Sequence, residues 1–209
     1  MTSTYFLLMR APLVPSSEEH KTLALHGLEV LGAGARSQPH WDLLERLCAS
    51  DVPQAADALH ALSLEAQSAR DFPVALLAGL LAARANYEAH ALETGRALGI
   101  SALELARETG NVLAEAHAYR LLALIAFDEG RSKDGHDHLL DAMAAFDEAG
   151  RHEEVPTLTR WYAEHLAVLG AKEEAQAAFR LARARFLEVG DQAGARLCEL
   201  DLAALASRT

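Results

Sequence analysis

Residues 163–182, AEHLAVLGAKEEAQAAFRLA, contain two apolar patterns of helical spacing on either side of Gly170. The small and large residues of each pattern share one face of a helix, at Ala163 and Leu166 before the glycine and at Ala175, Phe179 and Ala182 after it. A glycine just past a helix can adopt the left-handed conformation that closes the last turn. The stretch therefore predicts a helix, a turn at Gly170 and a second helix.

Glycines recur along the chain at a fixed interval. Gly110, Gly150 and Gly190 lie 40 residues apart, and Gly130 and Gly170 lie midway between them. Each interval holds a helix of about 17 residues, so every 40-residue unit predicts two helices.

Other residue types follow the same 40-residue period. Asp71, Asn111 and Asp191 precede apolar stretches, where a short polar side chain can accept hydrogen bonds from the first turn of a helix. The first helix of each unit has a small residue at the same position: Ala83, Ala123, Ala163 and Ala203. These small residues predict a close approach of neighbouring helices.

The composition favours helices throughout. Alanine and leucine supply 79 of the 209 residues, whereas the β-branched residues isoleucine and valine number two and eight. Alanine and leucine favour helices, and β-branched residues favour strands. The predicted fold class is all-α.

The net charge bears on the class of partner, and the cysteines bear on the cellular setting. A net charge of −11 argues against nucleic acid and anionic membranes, so a basic ligand or a protein partner fits better. Cys48 and Cys198 are too few for a disulfide framework and too far apart for a metal-binding pair. Neither a signal peptide nor a membrane span is recognisable. We therefore expect a soluble, cytoplasmic protein.

At these spacings the chain resembles the tetratricopeptide repeat (TPR) family. The family's small and large signature positions hold Ala163, Leu166, Gly170, Ala175, Phe179 and Ala182. The 40-residue period is similar to longer-helix variants found in bacterial regulators. The match covers roughly residues 36–209 and weakens toward the N-terminus, where His90 replaces the turn glycine and Gly99 stands at a large position. The resemblance implies an α-α superhelix of stacked helix pairs with a concave groove.

The period predicts the organisation of the chain. An extended segment at residues 1–17 precedes a single repeat domain at residues 18–209. After a first helix at 18–31, helix pairs follow at about 31–70, 71–110, 111–150 and 151–190. A capping helix at 191–206 closes the stack, because an end unit must shield the last apolar face.

The sequence contains no recognisable motif for catalysis, phosphate binding or metal binding. It has no Gly-x-x-x-x-Gly-Lys-Ser/Thr loop, Gly-x-Ser-x-Gly elbow or His-Glu-x-x-His pair. His136 and His138 lie among three aspartates but point to different sides of a helix, so a solvated helix face is favoured over a metal site. We expect no catalytic residue, no metal and no cofactor.

The resemblance implies that the first helix of each pair lines the groove. From the family's groove positions we predict eight binding residues in this chain: Arg84, Tyr87, His117, Arg120, Leu124, Phe127, Arg160 and Glu164. The end helix contributes Leu197 and Leu200.

The arginines at these positions have three interpretations. Arg120 and Arg160 are equivalent in successive units, and planar guanidinium groups suit the carboxylates of an acidic peptide. Arg84 and Arg160 have Glu88 and Glu164 four residues on, which also fits ion pairs on a helix surface. Arg120 has no carboxylate there, which predicts that its charge is available to a ligand. A misassigned register is the third interpretation.

The function predicted is a non-catalytic scaffold that binds a protein or peptide in its concave groove, with an acidic or carboxylate group as anchor. The alternative is a ligand-sensing regulatory domain of a bacterial signalling or transcription regulator that acts through a separate effector. An enzyme is the third class, and no nucleophile and base pair supports it. The end helices also offer surfaces for a homo-oligomer.

Overall fold

The structure is a computed structural model that describes residue 40, residues 42–44 and residues 55–207. The predicted segment at 1–17, the predicted helix at 18–31 and Cys48 lie outside the described residues. The described part is all-α, a helical repeat. Its long helices are α1 (Ala56–Ser68), α2 (Phe72–Glu88), α3 (Leu92–Thr109), α4 (Val112–Asp128), α5 (Ser132–Glu148), α6 (Val155–Val168), α7 (Lys172–Glu188) and α8 (Gln192–Ala206).

The turns between helices repeat every 20 residues. Five glycines have φ between 67° and 81°, which confirms that they end helices: Gly110, Gly130, Gly150, Gly170 and Gly190. Arg70 and His90 occupy the two preceding positions of this series and also have positive φ, of 60° each. The same turn therefore forms with a side chain in the left-handed conformation, which only glycine adopts without steric cost.

The predicted helix starts are confirmed at all three positions, and the predicted side-chain cap is confirmed at two of them. The side chains of Asn111 and Asp191 each accept a hydrogen bond at 2.9 Å from the amide three residues on. Asp71 directly precedes α2 as predicted, but the expected cap was wrong, because its carboxylate lies 3.2 Å from Nδ1 of His40 and accepts no hydrogen bond from the first turn of α2. Arg151, which cannot cap a helix in this way, is followed by a turn, and α6 begins only at Val155.

Small residues lie at the closest contacts between helices. Ala83, Ala123 and Ala163 in the first helices are fully buried. The second helices have buried small residues early on as well, and a Cβ added to Gly135 would lie 2.4 Å from the ring of Phe127. These contacts leave no room for a larger side chain.

The helices pack mainly against their neighbours in sequence. The first helices of successive units also touch one another, α2 with α4 and α6 with α8. No comparable contact joins the second helices α3, α5 and α7 within the described residues. The first helices therefore lie on the inner side of the array.

Candidate binding face

The surface of α2, α4 and α6 that carries Arg84, Arg120 and Arg160 is called the inner face below. Each of these arginines is about four-fifths buried, and each forms an ion pair with a carboxylate of the protein itself. The inner face therefore holds its guanidinium groups in fixed positions.

Arg84 pairs within its own helix. Its Nε donates to Oε1 of Glu88 at 2.8 Å, one turn further along α2. This ion pair is the one that the spacing of four residues predicts.

Arg120 is held by groups from its own helix, from α5 and from the residue just ahead of α6. Its Nη1 donates to Oε2 of Glu154 at 3.2 Å, its Nη2 lies 3.1 Å from Nδ1 of His117, and its guanidinium lies over the ring of Phe146. Arg120 has no carboxylate four residues on, but the expectation that its charge is therefore unpaired was wrong, because Glu154, 34 residues later, forms an ion pair with it. The late start of α6 leaves Glu154 just ahead of that helix.

The charge of Arg120 is nevertheless incompletely balanced. Burial lowers the pKa of Arg120, the charge of Glu154 opposes that effect, and the positive charge of Arg84 adds to it. The pKa of Arg120 lies below its ordinary value, so its surroundings stabilise the positive charge less well than water does.

The positive charge of Arg160 is balanced more completely than that of Arg120. Its Nε donates to Oδ2 of Asp201 in α8 at 2.7 Å, and its Nη2 lies 2.8 Å from Oε1 of Glu164. Burial alone would lower the pKa of Arg160. The hydrogen bond to Asp201 and the charges of Glu164 and Asp201 together outweigh burial, so the pKa of Arg160 lies above its ordinary value. Arg160 thus pairs with Glu164 of its own helix and connects α6 to α8 through Asp201.

Glu164 is a buried carboxyl rather than an open part of the inner face. Its residue is 7% exposed. Burial and, to a smaller extent, the charge of Asp201 raise its pKa to about 7 against the attraction of Arg160. Glu164 therefore titrates near neutral pH.

The remaining predicted positions are half-buried or buried. Tyr87, His117 and Leu124 are partly exposed, and His117 contacts the ring of Phe146 edge-on. Phe127 is buried because the ring of His165 stacks on it, with 3.4 Å between the ring centroids.

His136 and His138 are partly buried, and the ring of His138 lies near that of Tyr119, so the expectation of a solvated face for these two histidines was wrong. His136 contacts Phe127, Tyr162 and His165 through its ring. Burial lowers the pKa of His136. Burial, together with the charge of His136, lowers the pKa of His165 to about 4.

Sequence reasoning missed this cluster, although Phe127 and His165 both stand in the last turn of a first helix. One ring nitrogen each of His136 and His138 is buried without a hydrogen-bond partner. No group of three or more histidine, cysteine, aspartate or glutamate side chains in the described ranges could hold a metal ion.

Comparisons with known proteins support the fold alone. No protein-family model matches the chain, and no curated protein matches it. The chain is similar in structure to BtubC (BKLC) from P. vanneervenii, with a TM-score of 0.61 and 16% sequence identity. The match covers 98% of this chain and 92% of that one. None of the helices in the described part is both long and apolar enough to cross a membrane.

Proposed function

We propose that this protein is a non-catalytic scaffold of the TPR type that binds a segment of a partner protein on its inner face. The ligand group expected at the centre of this face is a carboxylate, either a C-terminus or an acidic side chain, and it binds at Arg120. The setting is the cytoplasm, where a free thiol such as that of Cys198 stays reduced.

The observation that carries this proposal is the incomplete charge balance of Arg120. Its side chain is 22% exposed and its guanidinium is held in place by Glu154 and by the ring of Phe146. Arg84 brings a second positive charge near enough to lower the pKa of Arg120. A ligand carboxylate would supply the missing negative charge, and a preorganised guanidinium loses little freedom when it binds one.

The charge balance of Arg160 differs from that of Arg120 and favours a structural role for Arg160. Asp201 and Glu164 already place two carboxylates within 2.8 Å of its guanidinium. A third carboxylate at that point would be repelled by the other two. Of the two equivalent arginines, only Arg120 therefore suits a ligand.

The TPR assignment is supported by the buried small residues and the turns at a constant interval. Ala123 and Ala163 are fully buried at the positions where the family has its small residues. Gly150 and Gly170 adopt the left-handed conformation that ends each helix.

The proposal is tested with labelled acidic peptides that carry a free C-terminal carboxylate, each paired with an amidated neutral version containing Gln and Asn. We expect fluorescence anisotropy to show preference for at least one acidic peptide, and Arg120→Gln to weaken its binding about tenfold or more. Arg160→Gln, the matched control at the equivalent position, should change the affinity less than about threefold. Glu154→Gln should strengthen binding, because it removes the internal competitor.

Two outcomes would contradict this proposal. One is that no acidic peptide binds better than its neutral version. The other is that Arg120→Gln and Arg160→Gln weaken binding equally, which would indicate that both arginines act only through the fold. Thermal melting of each variant identifies losses that come from unfolding.

A further inference from the structure

One guanidinium and two carboxylates meet where α6 packs against α8. Nε of Arg160 lies 2.7 Å from Oδ2 of Asp201, and its Nη2 lies 2.8 Å from Oε1 of Glu164. Within the described ranges, neither carboxylate forms an ion pair with another cation. We call these three side chains the Arg160 cluster, and with both carboxylates ionised its net charge is −1. The side chains of Arg160 and Asp201 are 22% and 17% exposed, so a ligand can reach the cluster.

The negative charge of the cluster is incompletely stabilised at Glu164. Arg160 on the same helix favours the ionised carboxyl, but burial and the charge of Asp201 on α8 oppose it and raise its pKa to about 7. On α5 and α7, which also pack against α6, no charged group adds to these effects. Cys198 of α8 lies nearby and is neutral at pH 7, because burial raises its pKa to about 11. A second cation beside the cluster would therefore stabilise ionised Glu164.

Arg120 and the Arg160 cluster would thus each be stabilised by an added charge, and the two charges have opposite signs. They belong to first helices of successive units, α4 and α6. Neighbouring helices lie about 10 Å apart, and Glu164 stands one turn, about 5 Å, beyond the position equivalent to Arg120. An extended segment at about 3.3 Å per residue spans this separation with about three to five residues. One bound segment can therefore contact both places.

The net charge of the whole chain favours the same kind of ligand. At −11, the protein repels a segment that is acidic throughout and attracts one that carries positive charge. A segment with one carboxylate and a nearby cation fits both this net charge and the guanidinium of Arg120.

We propose that the bound segment carries a lysine or arginine side chain that lies against Glu164 and Asp201, about three to five residues from the carboxylate at Arg120. This inference rests on the function proposed above and names the class of its ligand. The ligand is a segment of mixed charge, in which a carboxylate is the anchor at α4 and a cation contacts the carboxylates of α6 and α8.

Labelled peptides of about eight residues test the proposal, each with a free C-terminal carboxylate and either lysine or glutamine about four residues before it. We expect fluorescence anisotropy to show that the parent binds the lysine peptide about fivefold or more tightly than the glutamine peptide. This preference should fall below about twofold in Glu164→Gln and in Asp201→Asn. Glu199→Gln is the matched control, because it removes the same charge from α8 but at a pair with Arg183 of α7. It should keep the full lysine preference.

The pH dependence of the preference identifies Glu164 as the contact. A cation favours the ionised carboxyl, and Glu164 with its pKa of about 7 is mostly protonated at pH 6 and mostly ionised at pH 8.5. The lysine preference of the parent should therefore increase from pH 6 to 8.5 and stay level in Glu164→Gln. Calorimetry in buffers of different ionisation enthalpy should also show that the lysine peptide releases protons when it binds at pH 7.

The proposal is overturned if the parent binds the lysine and glutamine peptides equally, or if Glu164→Gln and Asp201→Asn both keep the full preference. Amidation of the C-terminus tests the anchor separately. Binding that depends on the free carboxylate and on Arg120 but not on lysine rejects only the cationic contact. Binding that is indifferent to amidation rejects the proposed function, and this inference with it. Melting curves establish folding, and Glu164→Gln keeps the shape of the side chain, so the test does not depend on Asp201→Asn.

Discussion

Replacing Glu164 by glutamine should make the stability of the protein less sensitive to pH. Burial raises the pKa of Glu164 from its usual 4.5 to about 7 in the folded state. Between these two values the folded protein binds more protons than the unfolded chain. The stabilisation is therefore complete below pH 4.5 and is lost as the pH rises through 7.

The size of this effect follows from the two pKa values. Over the range from pH 6 to 8.5, which lies above the isoelectric point of 5.3, ionisation of Glu164 should lower the free energy of unfolding by about 1.4 kcal/mol. For a chain of this length, that corresponds to about 3 to 6 °C in Tm. The Tm difference between Glu164→Gln and the parent should grow by this amount, in favour of the variant.

Circular dichroism at 222 nm, recorded during thermal melting at several pH values, measures the difference. Buried histidines such as His165 act in the opposite direction at lower pH, but they are present in both proteins and their effect cancels. Glu199→Gln is the control, because it removes a carboxylate from a half-exposed ion pair with Arg183. Parallel pH profiles for Glu164→Gln and the parent would refute the reasoning.

Three further predictions concern the packing and the turns. Ala123→Leu or Ala163→Leu should lower the free energy of unfolding by about 1 to 3 kcal/mol, because the larger side chain overpacks a closed contact. Ala177→Leu, on the exposed side of α7, should be tolerated. Equal urea midpoints for the two kinds of variant would show that the 40-residue register is misaligned. His90→Gly should stabilise the chain by up to about 1 kcal/mol, because glycine adopts φ of 60° without steric cost, and a lower urea midpoint would contradict this. Gly135→Ala should lower the midpoint by displacing Phe127, unlike Asp137→Ala at an exposed site of the same helix; similar midpoints would show that the ring has room to move.

The sequence predicted the parts of this structure that depend on neighbouring residues. Gly110 and Gly150 end helices because a left-handed residue is a local requirement of the turn, and Asn111 caps α4 for a similarly local reason. Asp71 is also a short polar residue directly ahead of a helix, but its carboxylate pairs with His40, which is 31 residues away in the sequence.

Contacts between units could not be predicted in this way. Arg120 and Glu154 meet only because α6 begins three residues late, and Arg160 reaches Asp201 across 41 residues. A helical pattern places Arg120 on one side of α4 but does not show which carboxylate lies opposite. The stacking of His165 on Phe127 likewise depends on how α6 lies against α4.

The most direct test of the central claim is the coupling between Arg120 and a ligand carboxylate. It requires four dissociation constants, for the parent and Arg120→Gln, each with the acidic peptide and its neutral version. If Arg120 binds the carboxylate, the preference of the parent for the acidic peptide should fall about tenfold or more in Arg120→Gln, a coupling free energy of about 1.4 kcal/mol or more. An acidic preference that is unchanged in Arg120→Gln would contradict the claim that Arg120 is the anchor of the inner face.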